Sequence, residues 1–258
     1  MLHLHRLAQA GFLLRASGIT LLIDAFLSPR PDRLVPPGVA PQDVVGVDAI
    51  LATHEHGDHL DRASLPALVA ASPAAIVIVP SPIVDQVRQI VSAERVVGAT
   101  VDGTITVGAA RIVPVPARHG VTMADAYTFG QELSGGLHRY LGYVVDLGGI
   151  RVYHAGDTIR YDGMAERLHA LRVDLALLPI NGRTAEREAR GFVGNMGHTE
   201  AADLAAEADI PSVVPMHHDT IAGNTGSVAE LRAYVDRHHP KLNVIEVAPF
   251  SDLVWPPD

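Results

Sequence analysis

Residues 53–59 read Thr53-His54-Glu55-His56-Gly57-Asp58-His59 and follow a short apolar run that predicts a strand. Side chains two positions apart in extended backbone point the same way, so His54 and His56 can reach one ion. Gly57 permits a sharp bend, after which Asp58 and His59 can face a second point. This density of ligand-type side chains disfavours a solvated polar loop and predicts a metal centre. Its spacing differs from that of a helical zincin motif, whose histidines are four apart.

Further candidate ligands follow other predicted strands. His119 follows residues 111–115, Asp157 follows residues 151–154, and His217 follows residues 212–215. Loops from neighbouring strand ends commonly build one site on a rigid scaffold, so we expect these side chains to join the cluster. His138 is the alternative to His119.

Composition bounds the class of protein. The 258 residues contain no cysteine, which excludes disulfides, iron–sulfur clusters and thiol nucleophiles. The net charge of −9 gives no basic footprint for nucleic acid. Residues 63–84 are uncharged but contain four prolines, which predicts a helix, a turn, a buried strand and a turn rather than a membrane span. With no signal-peptide pattern, we expect one cytoplasmic domain, residues 1–258, that binds no membrane.

The apolar periodicity alternates between strands and helices. It predicts that the first two dozen residues are strands, with two of them at 11–15 and 19–24, and further strands at 48–53, 76–79, 104–107, 111–115, 139–146, 151–154, 174–178, 212–215 and 243–247. It predicts helices at 63–71, 83–91, 163–171, 199–208 and 227–238. Residues 28–43 and 120–136 are expected loops, the second long enough to be functional. Two similar halves indicate an α/β protein with packed sheets and outer helices.

The order His-x-His-x-Asp-His, followed by a distant His, Asp and His, resembles the metallo-β-lactamase fold hydrolases over nearly the whole chain. The opening residues 9–14 and 22–24 also resemble that family. Tyr153-His154-Ala155-Gly156-Asp157-Thr158, Val214-Pro215-Met216-His217-His218-Asp219, Pro249-Phe250 and Trp255 are similar to the branch around L-ascorbate-6-phosphate lactonase. The resemblance implies a four-layer αββα sandwich.

The resemblance also implies roles for the candidate residues. His54, His56 and His119 would hold a first metal, while Asp58, His59 and His217 would hold a second. Asp157 would bridge both metals, Asp24 would lie behind the first histidines, and Asp219 would support the site or bind substrate. Two departures from the lactonase branch, His218 and the Pro179–Arg183 turn, fall where its substrate would lie.

A polar stretch between a predicted strand and helix offers substrate-binding groups. Its members are Asn181, Arg183, Arg187, Arg190, Asn195 and His198. Arg183 could grip a phosphate or carboxylate, and His198 could protonate the leaving oxygen. The alternative is a solvated loop whose arginines pair with Glu186 and Glu188.

These features predict a hydrolase with two divalent ions, Zn or Mn, that cleaves a lactone or related ester of a small anionic metabolite. A metal-bridged hydroxide would attack, oriented by Asp58. A phosphodiesterase acting on a small phosphodiester or RNA is the alternative. A mononuclear iron oxygenase, a flavodiiron-like module and a non-catalytic metal scaffold are less consistent with seven ligands and no flavin domain. No serine-hydrolase elbow, P-loop or dinucleotide fingerprint is present, and a homo-oligomer stays open.

Overall fold

The structure, a computed structural model, describes residues 1–101, 103–119, 137–189 and 194–256. Within them, strands β1 (Leu2–Arg6), β2 (Phe12–Ala16), β3 (Ile19–Ile23), β4 (Ala49–Leu51), β5 (Ile76–Pro80) and β6 (Val96–Ala99) form the first sheet. The second sheet contains β7 (Ile105–Val107), β8 (Ala110–Pro116), β9 (Leu141–Leu147), β10 (Ile150–His154), β11 (Leu175–Pro179), β12 (Ser212–Met216) and β13 (Asn243–Val244). A last strand, β14 (Ser251–Trp255), joins the first sheet beside β1.

The two sheets have the same plan. In the first, β14, β1, β2 and β3 are antiparallel, and β3 to β6 are parallel. In the second, β7 to β10 are antiparallel, and β10 to β13 are parallel. This repetition confirms the two similar halves that the sequence predicts.

Helices cover the outer faces of both sheets. Helices α1 (Leu65–Ala71) and α2 (Val84–Val87) supply buried side chains to a cluster on the first sheet. Helices α3 (Met164–Ala170), α5 (His198–Glu207) and α6 (Val228–His238) join the cluster that includes the second sheet, and α4 (Ala185–Glu188) lies in the polar stretch. Single 3-10 turns occupy Pro41–Asp43, Ser81–Ile83 and Ala93–Arg95.

Alternation along the strands divides the core into two clusters. Phe12 and Leu14 of β2 belong to the cluster that contains Val145 of β9. Leu13, between them, belongs to the cluster that contains Leu68 of α1. The resulting order of helix, sheet, sheet and helix is the predicted αββα sandwich.

Some predicted elements differ from the observed ones. The helix expected over residues 83–91 is only the short α2, because a 3-10 turn at Ser81–Ile83 precedes it. The strand expected over 243–247 is only β13. Strands β6 and β14 escaped prediction because they are edge strands, and β14 has exposed residues between half-buried ones. The predicted loop at 120–136 lies outside the described residues.

The uncharged stretch of residues 63–84 forms α1, β5 and the whole 3-10 turn Ser81–Ile83, in agreement with the predicted helix, strand and final turn, and its last residue begins α2. No helix of the described residues combines the length and apolar character needed to cross a bilayer.

Candidate metal centre

The ligand segment 53–59 leaves the first sheet just beyond β4 and turns tightly. His59 N–H and Leu60 N–H both donate to the His56 carbonyl, at 3.0 and 2.8 Å. The turn brings the His54 and His56 rings edge to face at 4.5 Å, with His54 Nε2 2.9 Å from His56 Nδ1. The next carboxylate in the sequence, Asp61, connects the turn to the segment after β3, because it accepts hydrogen bonds from the Leu27 and Ser28 N–H groups at 2.9 and 2.7 Å.

Three segments of the second sheet meet this turn. His119 follows β8, Asp157 follows β10 and His217 follows β12, all at the same edge because these strands are mutually parallel. The Leu141 N–H donates to the Thr53 carbonyl at 3.0 Å, which ties the two sheets together beside the site. The ligand candidates therefore come from both halves of the sandwich.

The seven predicted ligands form two groups, in each of which the candidate donor atoms lie within 4.8 Å of one another. One group is His54, His56, His119 and Asp157, and the other is Asp58, His59 and His217. Asp157 faces both groups. Its Oδ1 lies 3.3 Å from His59 Nε2 and 3.2 Å from His217 Nε2, while its Oδ2 lies 3.4 Å from His119 Nε2.

Buried partners behind the ligands fix their orientation. The fully buried Asp24 accepts a hydrogen bond from His59 Nδ1 at 2.7 Å and from the Thr53 N–H at 2.8 Å. The Thr53 hydroxyl donates to the same carboxylate at 2.7 Å and lies 3.0 Å from His54 Nδ1. Asp24 therefore lies behind the cluster, as expected, and its ring contact is to His59.

Burial and mutual charge set the protonation of the cluster. Burial lowers the pKa of His119 to about 4, although Asp157 opposes the shift. Burial, with His59 and His56, holds the pKa of His54 well below its usual value. Burial alone would raise the pKa of Asp157, but His217, His59 and His119 outweigh it and lower the pKa. These groups are therefore in the state that binds cations at neutral pH.

Asp58 and His59 behave as a charged pair. Burial alone would raise the pKa of Asp58, but His59 and His217 outweigh burial and lower the pKa below its usual value. Burial would lower the pKa of His59, but Asp157, Asp24 and Asp58 raise it well above its usual value. His59 must therefore release a proton before it can bind a cation.

The donor set fits divalent cations. Five imidazoles and two carboxylates are ligands that Zn²⁺ and Mn²⁺ accept. His59 Nε2 and Asp157 Oδ1 are buried and, among the described residues, neither makes a hydrogen bond of normal geometry. Buried polar atoms without partners are costly, and a cation between them would satisfy both.

A cavity of about 430 Å³ opens onto the cluster. His56, Asp58, His119, Asp157 and His217 form one part of its lining. The rest combines polar side chains with Ile221, Ala222 and glycines, and its polar members are Arg30, Asp32, Asn181, Asn195 and Asn224. Asn195 Nδ2 donates to Asn181 Oδ1 at 3.0 Å, and Asn181 Nδ2 donates to Asn224 Oδ1 at 2.7 Å.

Some residues predicted to act on substrate lie elsewhere. Arg183 does not line the cavity, because its guanidinium donates to both carboxylate oxygens of Glu200 at 2.6 and 3.0 Å. His198 contacts the Tyr234 ring, at 6.3 Å between centroids, and does not line the cavity. Asp219 accepts a hydrogen bond from the buried Arg6 at 2.8 Å, so it supports the turn beneath His217.

The two amides of the polar stretch, Asn181 and Asn195, line the cavity, and their binding of substrate stays a prediction. Among the described residues, His119 belongs to the first ligand group, whereas its alternative His138 belongs to neither group. His218 is buried and does not line the cavity. The side chain of Arg187 and the whole of Arg190 lie outside the described residues.

Sequence reasoning missed four residues around the site. Arg30 and Asp32 belong to the proline-rich loop, and Asn224 follows the last ligand segment. Gln9 lies in the opening hairpin, with Nε2 2.9 Å from Asp58 Oδ2. Proline-rich irregularity was the only available signal for Arg30, since loop contacts have no periodicity to detect.

Comparison with known proteins identifies the family. Residues 20–218 match the model of the Beta-lactamase superfamily domain. The chain is 34% identical over 219 residues to a UPF0173 metal-dependent hydrolase of Thermococcus kodakarensis, covering 83% of each chain. It is 33% identical over 217 residues to one of Archaeoglobus fulgidus, covering 83% of this chain and 82% of that relative. The chain belongs to the β-lactamase superfamily. More particularly, it is a metal-dependent hydrolase similar to the UPF0173 proteins.

Solved structures share the fold. Igni18, a metallo hydrolase from Ignicoccus hospitalis, superposes with a TM-score of 0.74 at 21% identity, covering 98% of this chain and 97% of that one. An isothiocyanate hydrolase from Delia radicum gut bacteria gives 0.76 at 19% identity, covering 98% and 99%. The predicted metallo-β-lactamase fold is therefore confirmed, while the likeness to the lactonase branch stays a prediction.

Proposed function

We propose that this hydrolase holds two divalent cations, Zn²⁺ or Mn²⁺, one in each ligand group. The observation that carries the proposal is that the two oxygens of the Asp157 carboxylate face different ligand groups. Its Oδ1 lies 3.2 Å from His217 Nε2 and its Oδ2 lies 3.4 Å from His119 Nε2, so one oxygen faces each group. A carboxylate placed in this way can hold two cations at a fixed separation.

The proposed reaction is hydrolysis of a lactone or related ester. Two cations held by these ligands would lower the pKa of a water molecule and would stabilise negative charge that develops on the substrate oxygen. Asp58 lines the cavity and stays ionised, because His59 and His217 lower its pKa. It can therefore accept a hydrogen bond from the attacking water and orient it towards the carbonyl carbon.

The cavity favours a small substrate with one negative charge. Asn181, Asn195 and Asn224 offer neutral donors and acceptors. Arg30 is the one arginine or lysine among the described lining residues, and it already pairs with Asp32 at 2.7 Å. A carboxylate can share Arg30 more readily than a polyanion, so RNA is not the proposed substrate.

The experiment compares substrates on one preparation of metal-loaded protein. We expect hydrolysis of a lactone that bears a carboxylate, with a higher kcat/KM than for bis-p-nitrophenyl phosphate. Asp157→Asn should abolish turnover and reduce bound metal, while the matched variant Asp162→Asn, at an exposed position, should do neither. Hydrolysis of the phosphodiester alone would replace the ester proposal with a phosphodiesterase, and hydrolysis of neither substrate would overturn both.

A further inference from the structure

Gln9 places a carboxamide inside the second ligand group. Gln9 is fully buried and lies in the turn between β1 and β2. Nε2 lies 2.9 Å from Asp58 Oδ2 and 2.8 Å from His217 Nε2. Within the described residues, the other end of the amide, Oε1, is buried and has no hydrogen-bond partner.

The backbone holds this side chain in place. Gln9 has a φ of 55°, a left-handed conformation that is uncommon for residues other than glycine. Its N–H donates to Thr220 Oγ1 at 2.7 Å, and its carbonyl accepts from the His217 N–H at 3.0 Å. Strained backbone of this kind clusters at functional sites, where the surrounding contacts maintain it.

The interatomic distances match those between ligands of one cation. With metal–ligand bonds of about 2.1 Å, neighbouring donor atoms are about 3.0 Å apart at right angles and about 3.4 Å apart at tetrahedral angles. The Gln9 amide lies 2.8 Å from His217 Nε2, which lies 3.4 Å from Asp58 Oδ2 and 3.2 Å from Asp157 Oδ1. The amide therefore occupies a ligand position around the same centre as these three residues.

The atom at that position depends on what the site holds. Without a cation, Nε2 is favoured there because it donates to Asp58 Oδ2. With a cation, an N–H would face positive charge, and a half-turn of the amide would bring Oε1 inward instead. The outer position has no hydrogen-bond partner among the described residues, so the half-turn breaks no hydrogen bond there.

We propose that Gln9 is a ligand of the second cation through Oε1, in addition to the seven residues of the two groups. This inference rests on the proposed two-cation centre. Two carboxylates and an amide oxygen would make the second position richer in oxygen than the first, which has three imidazoles. Oxygen donors suit Mn²⁺ better than Zn²⁺, so Gln9 would bias the second position towards manganese.

Calorimetric titration of the metal-free protein with Mn²⁺ tests this role. We expect two Mn²⁺ per chain in the wild type. Gln9→Ala should leave the first binding event unchanged and weaken the second at least tenfold. Gln9→Glu should bind the second Mn²⁺ at least as tightly as wild type, because a carboxylate offers an oxygen in either orientation. Asn181→Ala is the matched control, an amide of the cavity outside both groups, and should change neither affinity.

The outcomes separate the two proposals. Fewer than two Mn²⁺ in wild type would overturn the two-cation centre and the role of Gln9 with it. Two Mn²⁺ in wild type and an unweakened second site in Gln9→Ala would overturn the role of Gln9 alone. Weaker binding by Gln9→Glu would also overturn it, since that is the result expected if Gln9 only donates a hydrogen bond to Asp58. Gln9→Glu keeps the test valid if Gln9→Ala fails to fold.

Discussion

Asp24 is the residue that sets the orientation of a ligand ring. Its carboxylate accepts a hydrogen bond from His59 Nδ1 at 2.7 Å, so the opposite ring nitrogen, Nε2, is directed at Asp157. The same carboxylate holds the Thr53 N–H and hydroxyl, which start the ligand turn. Partners that lie behind metal ligands commonly tune metal affinity in this way.

Asp24→Asn should therefore weaken metal binding without removing a ligand. The amide replaces one acceptor oxygen with a donor, so it cannot satisfy both Thr53 and His59. We expect about a 10–100-fold loss of metal affinity, measured by competition with a chromophoric chelator. Asp48→Asn is the control, since Asp48 accepts a hydrogen bond from the Thr20 N–H on the same sheet and lies outside the cluster. Equal affinities for the two variants would contradict this role.

Replacing Arg30 and replacing Arg183 should have different effects on substrate binding. Arg30 lines the cavity, while Arg183 is held by Glu200. Arg30→Gln should raise KM for a carboxylated lactone by about tenfold and leave KM for its uncharged analogue unchanged, because one charge-assisted contact contributes about 1.5–3 kcal/mol. Arg183→Gln should leave both values unchanged. A rise in KM for Arg183→Gln alone would contradict this assignment and would support the sequence prediction that Arg183 binds the substrate anion.

Individual ligands were predictable where chemistry and spacing coincide. The His-x-His-x-Asp-His stretch and the three strand-end residues predict all seven side chains that the structure brings together, and their role as ligands stays a prediction. Gln9 was not predictable, because its amide meets His217 across 208 positions of sequence. His198 and Arg183 were misplaced because a polar stretch does not indicate which side chains face inward.

Connections between elements carry the ligands into position. Arg118 N–H donates to Thr158 Oγ1 at 2.9 Å, and Ile159 N–H donates to the Arg118 carbonyl at 2.7 Å. These contacts join the segment after β8 to the segment after β10, so His119 and Asp157 are fixed relative to each other. Tyr161 strengthens the junction by donating its hydroxyl to the Pro116 carbonyl at 2.6 Å. Strand patterns predicted both strands, but not the contacts between their following loops.

Tyr161→Phe tests that junction through pH. Burial raises the pKa of Tyr161 to about 12, against about 10 in an unfolded chain. The hydroxyl therefore contributes stability that is fully present below pH 10 and is lost as the pH rises towards 12. In urea unfolding of the metal-free protein, Tyr161→Phe should be about 1 kcal/mol less stable at pH 8, and the difference should shrink between pH 10 and 12. A difference that stays constant to pH 12 would contradict this role of the Tyr161 hydrogen bond.

At the scale of the whole molecule, the site joins the two halves. His54, His56, Asp58 and His59 come from the first sheet, and His119, Asp157 and His217 come from the second. One apolar cluster also spans both sheets. The layered architecture was predictable from the alternation of strands and helices, since both halves repeat it. The pairing of β14 with β1 was not, because it joins opposite ends of the chain.

Metal removal should therefore destabilise the molecule as one unit. At about 100 times its dissociation constant, each cation adds about 2.7 kcal/mol to the free energy of unfolding. For a chain of this size, that corresponds to a rise of roughly 5–10 °C in Tm per cation. Calorimetry should show one transition that moves down when a chelator is added and returns with Mn²⁺ or Zn²⁺. A Tm indifferent to the chelator, or two separate transitions, would contradict a site shared by both halves.

Anomalous diffraction from crystals of the Mn²⁺-loaded protein tests the central claim most directly. The account predicts two peaks, one among His54, His56 and His119 and one among Asp58, His59 and His217, with Asp157 between them. A single peak, or peaks away from these seven side chains, would contradict the two-cation centre.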